Sequence, residues 1–76
     1  MDRDHVYIWH PGRGEFLHYI AHRVAYWTPS ARLAQGYYKL SSAHAMRDRL
    51  GEGCRLVGSR EARRLEAMTT ERVKGG

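Results

Sequence analysis

The sequence predicts an α+β domain: a small antiparallel sheet of three to four strands, a β-meander, packed on two or three short helices. Three observations carry this. His5 to His10 alternates, with Val6 and Ile8 on one face and Tyr7 and Trp9 on the other, which is the period of a strand. Pro11-Gly12-Arg13-Gly14 then supplies the unusual backbone angles of a hairpin turn. Further on, serines at 41, 42 and 59 precede runs of apolar residues at helical spacing.

The second strand starts at Glu15 and runs back towards Ile20, antiparallel to the first. From Phe16 to Trp27 the apolar residues Phe16, Leu17, Ile20, Ala21, Val24 and Trp27 fit a helix of period 3.6 as well as strands. Strands are preferred, because hairpin chemistry precedes the window and Val24-Ala25-Tyr26-Trp27 ends on Thr-Pro. A break near Ala21 to Arg23 completes the meander. Thr28 followed by Pro29 is a helix start, with the hydroxyl as cap and proline at the first helical position. A short helix Pro29 to Gln35 is expected to stop at Gly36.

Tyr37 to Leu40 reads as extended. Ser41 or Ser42 is expected to cap a clearer helix ending at Leu50, with Gly51 beyond it and Ala43, Met46 and Leu50 on one face. Glu52-Gly53 form a turn, and Cys54-Arg55-Leu56-Val57 a short strand beside the first one. Ser59 is expected to cap the last helix, with Glu61 near its positive end and Ala62, Leu65 and Met68 or Thr69 as a narrow apolar stripe. Residues 1–76 form a single domain with residues 73–76 as a frayed tail.

A chain of 76 residues buries only about 60% of the surface its unfolded form exposes. The candidate core is thin: Val6, Ile8, Phe16, Leu17, Ile20, Val24, Trp27, Leu33, Leu40, Met46, Leu50, Leu56, Val57 and Leu65. Small scaffolds usually need a staple. Cys54 is the single cysteine, so no internal disulfide forms, which favours a reducing compartment and leaves a homodimer as the remaining staple. No apolar run approaches the roughly 20 residues that cross a bilayer. Met1-Asp2-Arg3-Asp4 is polar and acidic, unlike a signal peptide. The expected location is the cytoplasm, with no membrane partner.

The formal charge is +5, placed unevenly: net +1 from Met1 to Tyr38 and net +4 from Lys39 to Gly76. A basic half attracts phosphates or an acidic protein, or is simply a solvated helix surface. His18 and His22 are spaced as HxxxH and would share a zinc on a helix. On a strand they stand about 13 Å apart at the ordinary rise, and no acid or cysteine lies near them in sequence. No metal or cofactor is expected. His10-Pro11-Gly12-Arg13-Gly14 lacks the GK[ST] ending of a phosphate-binding loop and reads as a hairpin turn. A nucleophile needs a base and an orienting group in reach. Cys54 in a core strand reads as an inert thiol, and no enzymatic activity is expected.

Tyr7, Trp9, Tyr19, Tyr26, Trp27, Tyr37 and Tyr38 are more rings than one face of a small core hides. Large amphipathic rings and arginines anchor protein interfaces. The expected partner-binding residues are Tyr7, Trp9, Arg13, Tyr19, Arg23, Arg32, Arg55, Arg60, Arg63 and Arg64, with Tyr7 and Trp9 on an open sheet face. The competing expectation covers both faces, one by helices and one by a dimer mate. Rings interleaved with Arg13, Arg23 and Arg32 also suit stacking of single-stranded nucleic acid, although the RNA-recognition signature is missing.

The glycine turn with Glu15-Phe16-Leu17, then Trp27-Thr28-x-x-Ala31-x-x-Ala34, then Tyr38-x-Leu40-x-x-Ala43, resembles a type of small phage or prophage-encoded protein. The resemblance spans roughly Val6 to Leu50 and implies a compact meander with a helix laid across it. Some proteins of this size and origin are anti-CRISPR inhibitors. The resemblance therefore implies a non-enzymatic protein that binds and blocks a host protein or ribonucleoprotein, such as a CRISPR surveillance complex. The chain departs from the acidic, DNA-imitating surfaces frequent in that group by being basic, which points to steric blocking. The other expectation is a small basic nucleic-acid-binding or regulatory protein that uses Arg55, Arg60, Arg63 and Arg64.

Overall fold

A computed structural model describes residues 5–75, with side chains through residue 69. Residues 1–4, on which the expectation about a signal peptide rests, lie outside the described residues, as does Gly76 of the expected tail. The elements follow as β1 (Val6–His10), β2 (Glu15–Ala21), β3 (Val24–Thr28), α1 (Leu40–Leu50), β4 (Arg55–Gly58) and α2 (Ser59–Gly75). The four strands form one antiparallel sheet in the order β3-β2-β1-β4. This is the α+β class expected, and the contested window from Phe16 to Trp27 is two strands. Among the described residues, no helix is long and apolar enough to cross a membrane.

The turn after β1 forms where proline and glycines permit it. The N–H groups of Arg13 and Gly14 both donate to the His10 carbonyl, at 3.2 and 2.8 Å, and Gly14 takes a φ of 67°. β4 lies beside β1 along its whole length, from Val6 opposite Gly58 to Trp9 opposite Arg55. β1 and β2 pair only at His10–Glu15 and Trp9–Phe16. Beyond that point they part, and the segment Gln35-Gly36-Tyr37 fills the opening. Gln35 N–H donates to the Leu17 carbonyl at 2.8 Å, while Val6 and Tyr37 exchange two backbone bonds of 2.9 Å. Burial raises the Tyr37 phenol above its ordinary value, so it stays a neutral hydroxyl.

Alternation along the strands divides the core in two. Ile8, Leu17 and Cys54 face α1, packed with Trp27, Met46 and Leu50. Trp9, Phe16, Val57 and Ala62 form the opposite cluster, joined by Tyr7, Ala31, Ala34 and Leu65. Both helices pack on β1 and β4, and Ala43 and Ala62, fully buried, let them lie close. The face of Tyr7 and Trp9, expected to be open, is therefore covered: Trp9 is only 7% exposed. The cause lies in the chain path. α2 begins at Ser59 directly after β4 ends at Gly58, so it folds back over that face without a loop. Four expected core residues, Ile20, Val24, Leu33 and Leu40, are instead exposed.

The expected helix from Pro29 to Gln35 is a series of turns. Thr28 Oγ1 does accept the Ser30 N–H, at 3.1 Å, but successive three-residue turns follow, Leu33 N–H to Ser30 carbonyl and Ala34 N–H to Ala31 carbonyl. Seven residues hardly repay helix nucleation. One N–H group that a helix would use, that of Gln35, is drawn off to the Leu17 carbonyl at 2.8 Å, and Glu66 Oε1 takes the Ala31 N–H at 2.9 Å.

α1 starts one residue before the expected serine caps, after extended Lys39, and no side chain caps it. It stops as expected at Gly51, whose N–H returns to the Arg47 carbonyl at a φ of 64°. Arg47 and Arg49 lie in its last turn, where the helix dipole favours cations. β4 is shifted one residue from its expected span, and α2 is helical to Gly75, into the stretch expected to fray.

Two stability predictions follow from this packing. Phe16→Ala empties the largest fully buried side chain and should cost about 3–5 kcal/mol, measured as a lowered urea midpoint. A domain of this size holds only a small total stability, so most of it goes. A Cβ on Gly36 would stand 2.8 Å from His5 Cδ2, so Gly36→Ala should lower the thermal midpoint by displacing His5. An unchanged midpoint in either variant contradicts the packing described.

Candidate functional site

The helices lean mainly on β1 and β4, and beyond Leu17 and Trp27, which pack with α1, the other two strands run on as an arm. The hairpin of β2 and β3 projects beyond Phe16 and Thr28 with four large apolar side chains in solvent: Tyr19, Ile20, Val24 and Tyr26. A bulge shapes it. Leu17 is opposite Trp27, but Tyr19 is opposite Tyr26, so His18 is the extra residue of β2. Tyr26 and Trp27 are neighbours and point to opposite faces. The bulge therefore swings Tyr19 away from the face of Leu17 and onto that of Phe16, beside Tyr26.

The two tyrosines stack across the strands. Their ring centroids are 4.6 Å apart with planes 15° from parallel, and the residues are 43% and 42% exposed. His18 supports the pair from below. Its Nδ1 donates to the Leu33 carbonyl, 2.6 Å away, and its ring meets Tyr19 edge-on at 4.7 Å. Ala21 and Val24 form the next cross-strand pair on the same face. The hairpin closes on His22 and Arg23, with φ of 52° and 65°. Two-residue hairpin turns of this hand favour Asn-Gly, and the left-handed region costs other residues roughly 1–2 kcal/mol each.

The charged residues of the arm's own segment have one sign. No Asp or Glu occurs between Glu15 and Asp48. Arg23 is exposed at the tip and Arg32 at the base, beside Leu33, and neither has an ion-pair partner among the described residues. Glu66, which reaches the base of the loop, is engaged by the Ala31 N–H.

The ten residues expected to bind a partner fall into three places. Tyr19, Arg23 and Arg32 belong to the arm and its base. Arg13 is near it but engaged, 5.6 Å over the Trp27 ring and 3.8 Å from Glu15. Arg55, Arg60, Arg63 and Arg64 are exposed on β4 and α2, at the far edge of the sheet from β3. Tyr7 and Trp9 lie in the core between, Trp9 at 4.8 Å from the Phe16 ring. Tyr26 was not singled out as a contact residue. The signal available for it was the absence of acids from Phe16 to Arg47.

Histidine and cysteine chemistry is otherwise absorbed by the fold. His10 is buried, accepts the Arg13 N–H on Nδ1 at 3.2 Å, and so donates from Nε2 to Glu52 Oε1, also 3.2 Å away. His22 lies in the hairpin turn while His18 is bonded to Leu33, which separates the HxxxH pair. Among the described residues, no group of three His, Cys, Asp or Glu side chains could hold a metal ion. Cys54 is buried, and burial, then the Glu52 charge, raises its thiol above the ordinary value.

Compared with known proteins, the chain matches no family model, no curated protein and no solved structure.

Cys54 should accordingly resist alkylation. At pH 8 the folded chain should react with iodoacetamide at least about tenfold more slowly than the urea-unfolded chain, because thiolate fraction and access both fall. Equal rates in the two states would show that the thiol is neither shielded nor raised.

Proposed function

We propose that this chain is a non-enzymatic binding protein of phage type that blocks a host defence complex sterically, with the β2–β3 arm as its contact surface. The partner in this reading is a host ribonucleoprotein such as a CRISPR surveillance complex, met in the host cytoplasm. One observation carries it: the end of the β2–β3 hairpin beyond Leu17 and Trp27 displays two stacked tyrosines in solvent. Rings of this kind are the common anchors of binding surfaces. The positive charge favours encounter with a nucleoprotein and rules against imitation of DNA by this surface.

A second reading rests on a separate surface. Arg55, Arg60, Arg63 and Arg64 are exposed together on β4 and the first turns of α2, which suits a small nucleic-acid-binding or regulatory protein. Its effect would disappear when those four arginines become glutamine and would survive loss of the tyrosine pair. Self-association along the β3 edge is a third use, competing for the same arm.

The test of the first reading is phage growth. In cells whose CRISPR surveillance complex targets a phage, expression of the chain should restore plaquing, and the variant Tyr19→Ala/Tyr26→Ala should not. Plaque counts that stay at the targeted level, with the chain present as folded protein, overturn the inhibitor reading.

A further inference from the structure

We infer that the β2–β3 arm is a stacking site for single-stranded nucleic acid, with the Tyr19–Tyr26 pair as platform and Arg23 and Arg32 as phosphate contacts. This rests on the reading of the arm as the contact surface and names what it touches.

The platform is already assembled. Two rings held 4.6 Å apart and nearly parallel on paired strands lose little freedom when a base joins the stack. Every base offers a π-face, so such a platform takes single strands with little regard to sequence. The bulge at His18 and the His18 bond to Leu33 fix the orientation of Tyr19 from outside the pair. Nothing in the fold needs these rings for its core. The buried clusters end at Phe16 on their face and at Leu17, Trp27 and Ala25 on the other.

Electrostatics choose the partner. The arm carries Arg23 at its tip and Arg32 at its base within the acid-free stretch from Phe16 to Arg47, and the Glu66 carboxylate that reaches the base from α2 is held by the Ala31 N–H. Arg23 precedes Tyr26 by three positions, in the turn just before β3, roughly 10 Å at the usual rise. That is the length of about three stacked nucleotides at 3.4 Å each, so a base on the rings brings a phosphate to the tip. The turn itself points the same way. Arg23 occupies a left-handed position, φ 65°, where glycine would sit without strain. A strained cation at an exposed tip is explained by what the cation binds. A duplex keeps its bases stacked on one another and offers no free π-face to the ring pair, so the platform favours single strands.

The experiment is fluorescence anisotropy with the purified full chain and labelled 12-nucleotide single strands, one DNA and one RNA, against the matching duplex. The wild-type chain should prefer the single strands. With two phosphate contacts its affinity should fall about sevenfold between 50 and 200 mM salt. Arg23→Gly removes one contact, so the fall shrinks to about threefold while the thermal midpoint rises, an outcome that damage to the fold cannot mimic. Tyr19→Phe/Tyr26→Phe should bind as wild type, and Tyr19→Leu/Tyr26→Leu at least about fivefold more weakly.

Equal affinity for duplex and single strand overturns the site, as does an undiminished leucine variant. A dimer in sedimentation without oligonucleotide binding assigns the arm to a second copy instead. Binding of both strands leaves DNA and RNA as alternative cargo, and preference for one decides between them. The assay uses no defence complex. Oligonucleotide binding without phage protection removes the inhibitor reading alone, and protection without binding removes this one alone.

Discussion

The structure turns on the pairing of Trp9 with Phe16. It is the last rung at which β1 and β2 lie side by side, and both rings are buried there, 4.8 Å apart. Past this rung the hairpin opens. β1 continues with β4 and collects a helix on each face, while β2 continues with β3, keeps Leu17, Ala25 and Trp27 in the α1 cluster, and carries its other face into solvent. The opening is sealed by the reciprocal bonds of Val6 and Tyr37 and the reach of Gln35 to Leu17, which satisfy backbone groups that would otherwise lie unpaired inside the domain. The same rung thus separates a packed half, where stability resides, from a free half, where large rings meet water.

The free half is shaped by details that a strict period of two does not contain. A single extra residue at His18 changes which face Tyr19 occupies, and with it whether two tyrosines stack or point apart. The bulge could occur there because β2 has lost β1 as a neighbour. Bulges concentrate where a strand is free of a continuous partner. The vacated side gives His18 a carbonyl to hold, that of Leu33, in a loop which Glu66 ties to α2. A tether from the last helix thus reaches, through one loop, the orientation of a ring on the arm.

What could be read in the sequence was local. Alternation in β1, the Pro-Gly turn after it, Gly51 behind α1 and the insertion of the Leu56 strand beside β1 all follow from chemistry within a few residues, and each is found in place. The covering of Tyr7 and Trp9 could not be read that way. Period two tells which side chains share a face but not which element later lands on it, and α2 lands there because no loop separates it from β4. The segment after Thr28 failed for a similar reason. Its cap chemistry is real, yet the run is short and the Gln35 N–H that would close its last turn goes to Leu17, distant in sequence. Candidate contact residues chosen by type alone consequently scattered over the core, the arm and the far edge. The acid-free stretch around the arm was visible in the sequence, and its meaning depended on knowing that those residues form one exposed hairpin.

The domain has no internal disulfide, and its buried clusters are small. It compensates by using both faces of the β1–β4 half, with fully buried alanines bringing the helices close. Against that economy the arm stands out. A sequence shaped for stability alone would place Asn-Gly at the tip and threonines or charged residues on the exposed face. This one places His-Arg in left-handed angles and two tyrosines in solvent. Departures from local rules are expected where function overrides folding. The strained tip, the bulge and the ring pair lie together on one hairpin, outside the core, in a segment that contains no Asp or Glu. Their concentration there separates the arm from an ordinary frayed edge, which would show such departures singly and without a common sign of charge.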